Sequence, residues 1–170
     1  MGDAEIAHAI RLSWDKSEST TRAAAAFAGD VIARDPAYIS HGEIQTGLAI
    51  DARHWEPDLA ARYAADFAEL GAERDLLVAR DQDGDIRGIA VLAWEETRRR
   101  RFAVLEDMAV DPAMRSSGIG ARMLEEVENR ARARDVDWLF LESGLGNEGA
   151  HRFFEREGFE TVSKVFVKRL

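Results

Sequence analysis

The stretch Leu105-Glu106-Asp107-Met108-Ala109-Val110-Asp111-Pro112-Ala113-Met114-Arg115-Ser116-Ser117-Gly118-Ile119-Gly120-Ala121-Arg122 decides the fold. It opens as an apolar strand, breaks at Asp111-Pro112, turns through Arg115, Gly118 and Gly120, and enters an amphipathic helix. A strand that feeds a glycine turn and then a helix start is suited to holding phosphate. The first-turn N–H groups have no intrahelical partner, and the helix dipole adds partial positive charge there. Gly118 and Gly120 let an anion approach the backbone closely, and Arg115 can add a charge-assisted hydrogen bond.

Outward from this stretch, the pattern predicts a regular succession of elements. Downstream, Gly118 to Arg134 is a helix burying Ile119, Met123, Leu124, Val127 and Ala131 at helical spacing. Asp137 to Glu142 is a near-continuous apolar run, as expected of a strand covered on both faces. Asn147 to Glu157 is a short helix closed by Gly158, and Phe159 to Leu170 reads as a final hairpin. Upstream, Phe102 to Val110, Ile86 to Trp94 and Asp75 to Arg80 are strands, the latter two joined by a turn of aspartates and Gly84. Thr20 to Arg34 is a helix ended by Asp35-Pro36. Glu56-Pro57 opens another, with Leu59, Tyr63, Phe67 and Leu70 as its apolar stripe and Gly71 as its stop. Ala37 to Trp55 has no clear period. Ala4 to Trp14 fits either a strand or a helix face.

Composition bounds the function. A chain of 170 residues with 46% hydrophobic and 32% charged content suits one soluble domain spanning 1–170. No apolar run reaches membrane-spanning length, and the N-terminus lacks a signal-peptide profile, so a cytoplasmic protein without membrane contact is expected. The absence of cysteine excludes disulfides, thiolate zinc sites and cysteine nucleophiles. The net charge of −9 argues against nucleic acid as a partner and would favour a cationic one, although it also serves solubility.

Val110, Asp111, Pro112 and Arg115-Ser116-Ser117-Gly118-Ile119-Gly120 resemble motif A of the GNAT superfamily, the acyl-CoA-dependent N-acetyltransferases, whose signature is R/Q-x-x-G-x-G/A after a strand and a turn. Asn147-Glu148-Gly149-Ala150-His151-Arg152-Phe153-Phe154-Glu155-Arg156-Glu157-Gly158-Phe159 is similar to its motif B. The resemblance is strong from Leu76 to Leu170 and topological before that. It implies an α/β (α+β) domain, with a mixed, mostly antiparallel sheet flanked by helices, and, because such domains usually begin with a strand, it tips Ala4 to Trp14 towards one. It further implies transfer of the acetyl group of acetyl-CoA, as cosubstrate and without metal, to an amine of a small molecule or peptide by direct attack. Arg115, Ser116, Ser117, Gly118, Ile119, Gly120 and Ala121 would then hold the pyrophosphate. Met108, Ala109, Val110 and Asn147 would hold the pantetheine arm. A homodimer is a common assembly of such domains.

An alkylammonium is protonated at neutral pH, so a carboxylate must take its proton. The sequence Leu105-Glu106-Asp107 resembles the polyamine acetyltransferase branch, in which this Glu is the base. Glu142, five residues before Asn147, matches a Glu used in the ribosomal-protein branch. Glu106 ranks first and Glu142 second, while Asp107, expected on the opposite face of the strand from Glu106, reads as structural. A backbone N–H near Ala109 or Val110 would receive the developing oxyanion. Phe154 stands where many members carry a tyrosine acid, so a non-catalytic acyl-CoA sensor on the same fold is the alternative. Glu43, Asp51, Glu56 and Asp58 are candidates for an acidic acceptor pocket.

Other patterns fail on context. Gly144-x-Gly146-x-x-Gly149 lacks the following helix, strand and acid of a dinucleotide fold. Asp81, Asp83 and Asp85 have their glycine misplaced for a calcium loop. The four histidines show no metal spacing, and Arg98 to Arg101 reads as an exposed hairpin tip.

Overall fold

The computed structural model describes Gly2 and residues 9–170. In chain order its elements begin with β1 (Arg11–Trp14), α1 (Glu18–Val31), a 3₁₀ turn (Pro36–Tyr38), α2 (His41–Thr46), β2 (Ala49–Asp51), β3 (His54–Trp55) and α3 (Leu59–Ala68). They continue with β4 (Arg74–Arg80), β5 (Ile86–Glu96), β6 (Arg101–Val110), a second 3₁₀ turn (Pro112–Met114), α4 (Ile119–Ala133), β7 (Leu139–Leu141) and α5 (Glu148–Arg156). Among the described residues the main sheet has the order β1-β4-β5-β6-β7. Every pairing in it is antiparallel except β6 with β7, which is parallel. The mixed, mostly antiparallel sheet expected from the sequence is the one observed.

The central strands bury both faces. Leu76 to Ala79 and Ile89 to Ala93 are all within 2% of full burial. One face packs under α1 and α3 through Ala24, Ala28, Leu59, Tyr63 and Phe67, and Gly29 lets these helices cross closely at Ala60. The other face packs under α4 through Ile119, Met123, Leu124, Val127 and Ala131. These are the helical stripes the sequence predicts, and each such buried aliphatic or aromatic side chain contributes about 1.5–3 kcal/mol.

Three expectations need correction. The segment Phe159 to Leu170 forms no strand, and Val162, Val165, Phe166, Val167 and Leu170 are exposed. An alternating pattern supplies side chains for a strand but no ladder partner; the segment is held at its start, where Phe159 packs on Phe154, and near its end, where Arg169 donates to Ile50 O at 3.4 Å. The run Asp137 to Glu142 yields only the three residues of β7. It is not covered on both faces: Trp138 and Phe140 are exposed and stack on one another, with Phe140 against Phe102. The irregular stretch Ala37 to Trp55 contains α2, opened by a capping box of Ser40 and Glu43, and the small β2–β3 pair. At the N-terminus, the strand reading holds for Arg11–Trp14, Ala9 is helical, and residues 3–8 lie outside the described set.

Asp75 ties the two layers together. Its side chain, 5% exposed, receives Arg130 at 3.0 Å, Lys16 at 3.3 Å and the indole N–H of Trp94 at 3.2 Å. Arg130 and Arg134 in turn lie over the rings of Trp14 and Trp94. Burial opposes ionisation of Asp75, but the Arg130 and Lys16 contacts outweigh it and hold its carboxyl below its ordinary value. Asp75→Asn is therefore expected to lower unfolding free energy by about 1–3 kcal/mol in urea titrations at pH 7. A carboxyl depressed in the folded state stabilises fully above its unfolded value of about 3.9, so the gap between wild type and variant should close as pH falls through and below that value.

Candidate active site

The site forms where β6 loses a neighbour. β7 pairs with Ala103, Val104 and Leu105 and then ends at Leu141, while β6 runs on to Val110 still paired to β5. The parting strands open a cleft of about 640 Å³, within the range of small-molecule sites. Asp111 donates its N–H to Arg87 on β5 at 2.8 Å. Strand amides alternate, so the N–H groups of Met108 and Val110 point away from β5, towards the side β7 has vacated.

A β-bulge sits at the point of parting. Leu92 of β5 opposes Leu105 and Val91 opposes Asp107, leaving Glu106 as the extra residue. Leu105 therefore faces the α4 layer, whereas Asp107, opposite Val91, faces the α1–α3 layer. The expectation that Glu106 and Asp107 point to opposite faces is overturned by this bulge: both reach α3 and its neighbours. Glu106 meets Arg74 at 3.5 Å, and Arg74 also binds Asp66 of α3 at 3.0 Å. Asp107 accepts the Tyr63 hydroxyl of α3 at 3.3 Å.

The anion end is built by the turn into α4. Gly118 holds φ +85°, a left-handed conformation that glycine adopts without strain. The first intrahelical bond is Arg122 N to Gly118 O, so the amides of Ile119, Gly120 and Ala121 precede the ladder. Arg115 reaches over this turn with its guanidinium on the Tyr38 hydroxyl at 3.3 Å. Ser116, also left-handed at φ +66°, lines the cleft. Ser117 does not line it: its side chain is buried, and the hydroxyl donates to Met114 O. Gly120 lines the cleft, and a Cβ there would meet the Phe153 ring at 3.5 Å, an ordinary contact, so α4–α5 packing does not itself demand the glycine.

Across the cleft, Asn147 caps α5 by accepting from Ala150 N at 3.3 Å. Phe154 lines the cleft, half-buried, with its ring edge-on to Phe153 and Phe159. Arg152 and Arg156 line it from α5, and the motif reading missed both because an exposed helical arginine looks like a solvated face.

The opposite end is acidic. Glu142 directly follows β7 and pairs with His41 of α2 at 3.0 Å, with Ser40 Oγ at 3.4 Å. Glu43, Glu106 and Asp107 line the same end with Tyr63 and Trp55. Burial, opposed by Arg74, pushes the Glu106 carboxyl above its ordinary value, although solvent still reaches one side of it. Burial, reinforced by the charges of Glu43, Glu106 and Asp66, pushes that of half-buried Asp107 up to about 7. Of the other acids expected here, Asp51 pairs with His54, and Glu56 and Asp58 pair with Arg62 outside the cleft. Among the described residues no group of acids or histidines is arranged to hold a metal ion.

The profile of the acetyltransferase (GNAT) family matches residues 43–159, from α2 through the end of motif B. This chain belongs to the GNAT family. Within it, the chain is 32% identical over 104 residues to streptothricin acetyltransferase of Streptomyces lavendulae, covering 61% of this chain and 54% of that protein. It is 32% identical over 66 residues to aminoalkylphosphonate N-acetyltransferase of Salmonella typhimurium, covering 39% and 43% of the two chains. The match thus spans about half the length of these relatives. Among solved folds, an acetyltransferase of Trypanosoma brucei superposes with a TM-score of 0.66 at 19% identity, over 95% of this chain and 99% of that one. An aminoglycoside N-acetyltransferase crystallised in complex with CoA gives a TM-score of 0.67 at 14% identity over 95% and 94%. At those identities the structures establish the shared GNAT fold.

Gly144 fixes the cleft wall built by the Pro36–Tyr38 turn. A Cβ at this position would lie 2.1 Å from Ala37 O and 2.5 Å from Ile39 O, both immovable backbone atoms. Gly144→Ala is expected to push the Pro36–Tyr38 turn off the β7 end. It should cost roughly 1–3 kcal/mol, as overpacking does, seen as a lower melting temperature.

Proposed function

We propose that this chain is an N-acetyltransferase that moves the acetyl group of acetyl-CoA to a primary amine by direct attack, with no covalent enzyme intermediate. The observation that carries this reading is the polarity of the cleft. Free amides and three arginines, Arg115, Arg152 and Arg156, mark one end, and carboxylates mark the other. The α4 amides of Ile119, Gly120 and Ala121, with Arg115, Ser116 and Gly118, fit a diphosphate. Met108, Ala109 and Val110 present strand backbone to the pantetheine arm, and Asn147 and Phe154 close over it from α5. The N–H of Val110, facing the vacated side of β6, is the donor for the thioester oxygen, where it gains most from charge developing in the transition state. Acetyl-CoA supplies the activated acyl group, and the protein orients it.

The carboxylates serve the acceptor. Glu106 and Glu142 stand on the two walls of the cleft, each positioned to attract and orient a cationic amine. An acidic end of this kind suits a small cationic amine or a peptide N-terminus. The names of relatives acting on streptothricin and aminoalkylphosphonates are in keeping with an amine acceptor.

Phe154 favours a second reading, a sensor that binds acyl-CoA without turning it over, because the phenyl ring has no proton to give. One pair of measurements separates the two. Titration calorimetry should register acetyl-CoA binding, and a thiol-release assay over cationic amines, amino acids and peptides should find turnover with at least one. Binding with no thiol release across the panel would favour the sensor. Arg115→Ala is expected to weaken acetyl-CoA roughly tenfold, because an exposed charge-assisted bond contributes less than a buried one. The deficit should shrink as salt is raised.

A further inference from the structure

The carboxylates of the cleft differ in what already holds them. Glu142 is bound to His41 and Ser40, Glu106 to Arg74, and Glu43 is engaged by the Ser40 backbone and hydroxyl in the α2 capping box. Asp107 accepts one neutral hydroxyl, that of Tyr63, and no cation among the described residues pairs with it. The bulge at Glu106 turns this side chain to the acceptor side of the sheet, one residue from Met108, whose N–H faces the cleft. One strand residue is a rise of about 3.3 Å, so Asp107 stands beside the Met108 amide and about 10 Å along the strand from Val110, at the acid end of the backbone that would carry the pantetheine arm.

We propose that Asp107, hydrogen-bonded to Tyr63, is the group that takes the proton from the acceptor ammonium. This rests on the acetyltransferase reading above and assigns its general base. Glu106 and Glu142, each tied to a basic side chain, then orient the amine without accepting its proton.

The step balances without another reagent. One proton passes from the ammonium nitrogen to an oxygen of Asp107. The freed lone pair forms the C–N bond, the C–S bond breaks with its electron pair going to sulfur, and the second N–H proton ends on that sulfur. The proton on Asp107 leaves to solvent before the next turn. The surroundings suit the task. Asp107 faces Tyr63 and Asp66 from α3, Glu43 from α2 and its neighbour Glu106, with Arg74 of β4 engaged by Asp66 and Glu106. A half-buried carboxylate among acids binds a proton more readily than a free aspartate. Its value near 7 lies closer to that of an amine than an ordinary carboxylate does, and a base working near the ambient pH is the efficient one.

The test measures kcat and kcat/KM against pH for wild type, Asp107→Asn, Tyr63→Phe and Glu106→Gln, with calorimetric acetyl-CoA binding and thermal melts of each. In wild type, activity should rise with pH through a limb near 7. Asp107→Asn should bind acetyl-CoA as wild type does, yet lose on the order of 10²–10⁴-fold in kcat at neutral pH. Above pH 7 it should melt no lower than wild type. A carboxyl raised in the folded state opposes folding once it is ionised, whereas a purely structural aspartate would cost stability when replaced. Tyr63→Phe removes a donor to the ionised form and should move the limb to higher pH. Glu106→Gln removes a like charge and should move it to lower pH. Active wild type with Asp107→Asn retaining kcat within about threefold, or with Glu106→Gln abolishing the limb, would overturn the assignment. Should Asp107→Asn fail to fold, an unmoved limb in Tyr63→Phe would overturn it as well. A wild type that transfers nothing to any amine would instead overturn the transferase reading.

Discussion

The structure depends on a hydrogen-bond ladder that stops early. β6 has two neighbours as far as Leu105 and one beyond it, because β7 ends at Leu141. Backbone amides near a protein interior that lack a partner are costly, and proteins seldom leave them so. Here the vacated side of Met108 to Val110 opens onto a cleft, so water or a ligand can satisfy those groups. The β5 pairing continues on the other side of β6 to Val110 and keeps these amides in line. One edge of the strand is rigid and the other is available, which is what a preorganised donor requires.

The bulge at Glu106 falls where this support ends. A bulge adds local twist and redirects the side chains that follow it. Without it, Asp107 would share the face of Leu105 and press a carboxylate into the apolar layer beneath α4. With it, Ala109 and Asp107 both turn towards α1 and α3, one as packing and the other as a polar group on the cleft wall. The same residue insertion that spoils the ladder therefore creates the acid end. The cost is visible in the charge distribution. Burial, reinforced by the charges of Glu43, Glu106 and Asp66, raises the Asp107 carboxyl, a local destabilisation of the kind that persists at functional sites and is offset elsewhere. Asp75, held by Arg130 and Lys16 with Trp94 as donor, is one place where it is offset.

How much of this was readable beforehand follows from which signals are local. The strand, glycine turn and helix from Leu105 to Arg122 were legible because Asp111-Pro112 and Gly118 punctuate them, and because the stripe from Ile119 to Ala131 has one period throughout. The capped α5 and its stop at Gly158, φ +94°, were legible for the same reason. The acidic wall of the cleft was not. Its helix α2 is six residues long, too short to show a period, and only Ser40-x-x-Glu43 could have announced it. The orientation of Asp107 was misread because counting alternate residues assumes an unbroken ladder, and nothing in Leu105-Glu106-Asp107 marks a bulge. Arg152 and Arg156 were missed because helical arginines are ordinary on a surface. The tail after Phe159 was overread, since alternation says which side chains would share a face and nothing about whether a partner strand exists.

On the acetyltransferase reading proposed above, Phe154 bears on where the difficulty of the reaction would lie. It belongs to an aromatic cluster with Phe153 and Phe159, and Phe153 packs against Gly120 in the first turn of α4. The ring thus holds α5 against the cleft without contributing a proton. A thiol has a pKa of about 8.5 and leaves tolerably as the thiolate, while an alkylammonium near 10 is no nucleophile until it is deprotonated. Of the two proton transfers that acetylation of an amine requires, removal from the nitrogen is the more demanding at neutral pH. The second N–H proton can itself satisfy the sulfur as the C–S bond breaks. A site with an elaborated acid end and a phenylalanine on the sulfur side is consistent with that division: its polar side chains gather where the harder transfer occurs, and packing suffices at the other end.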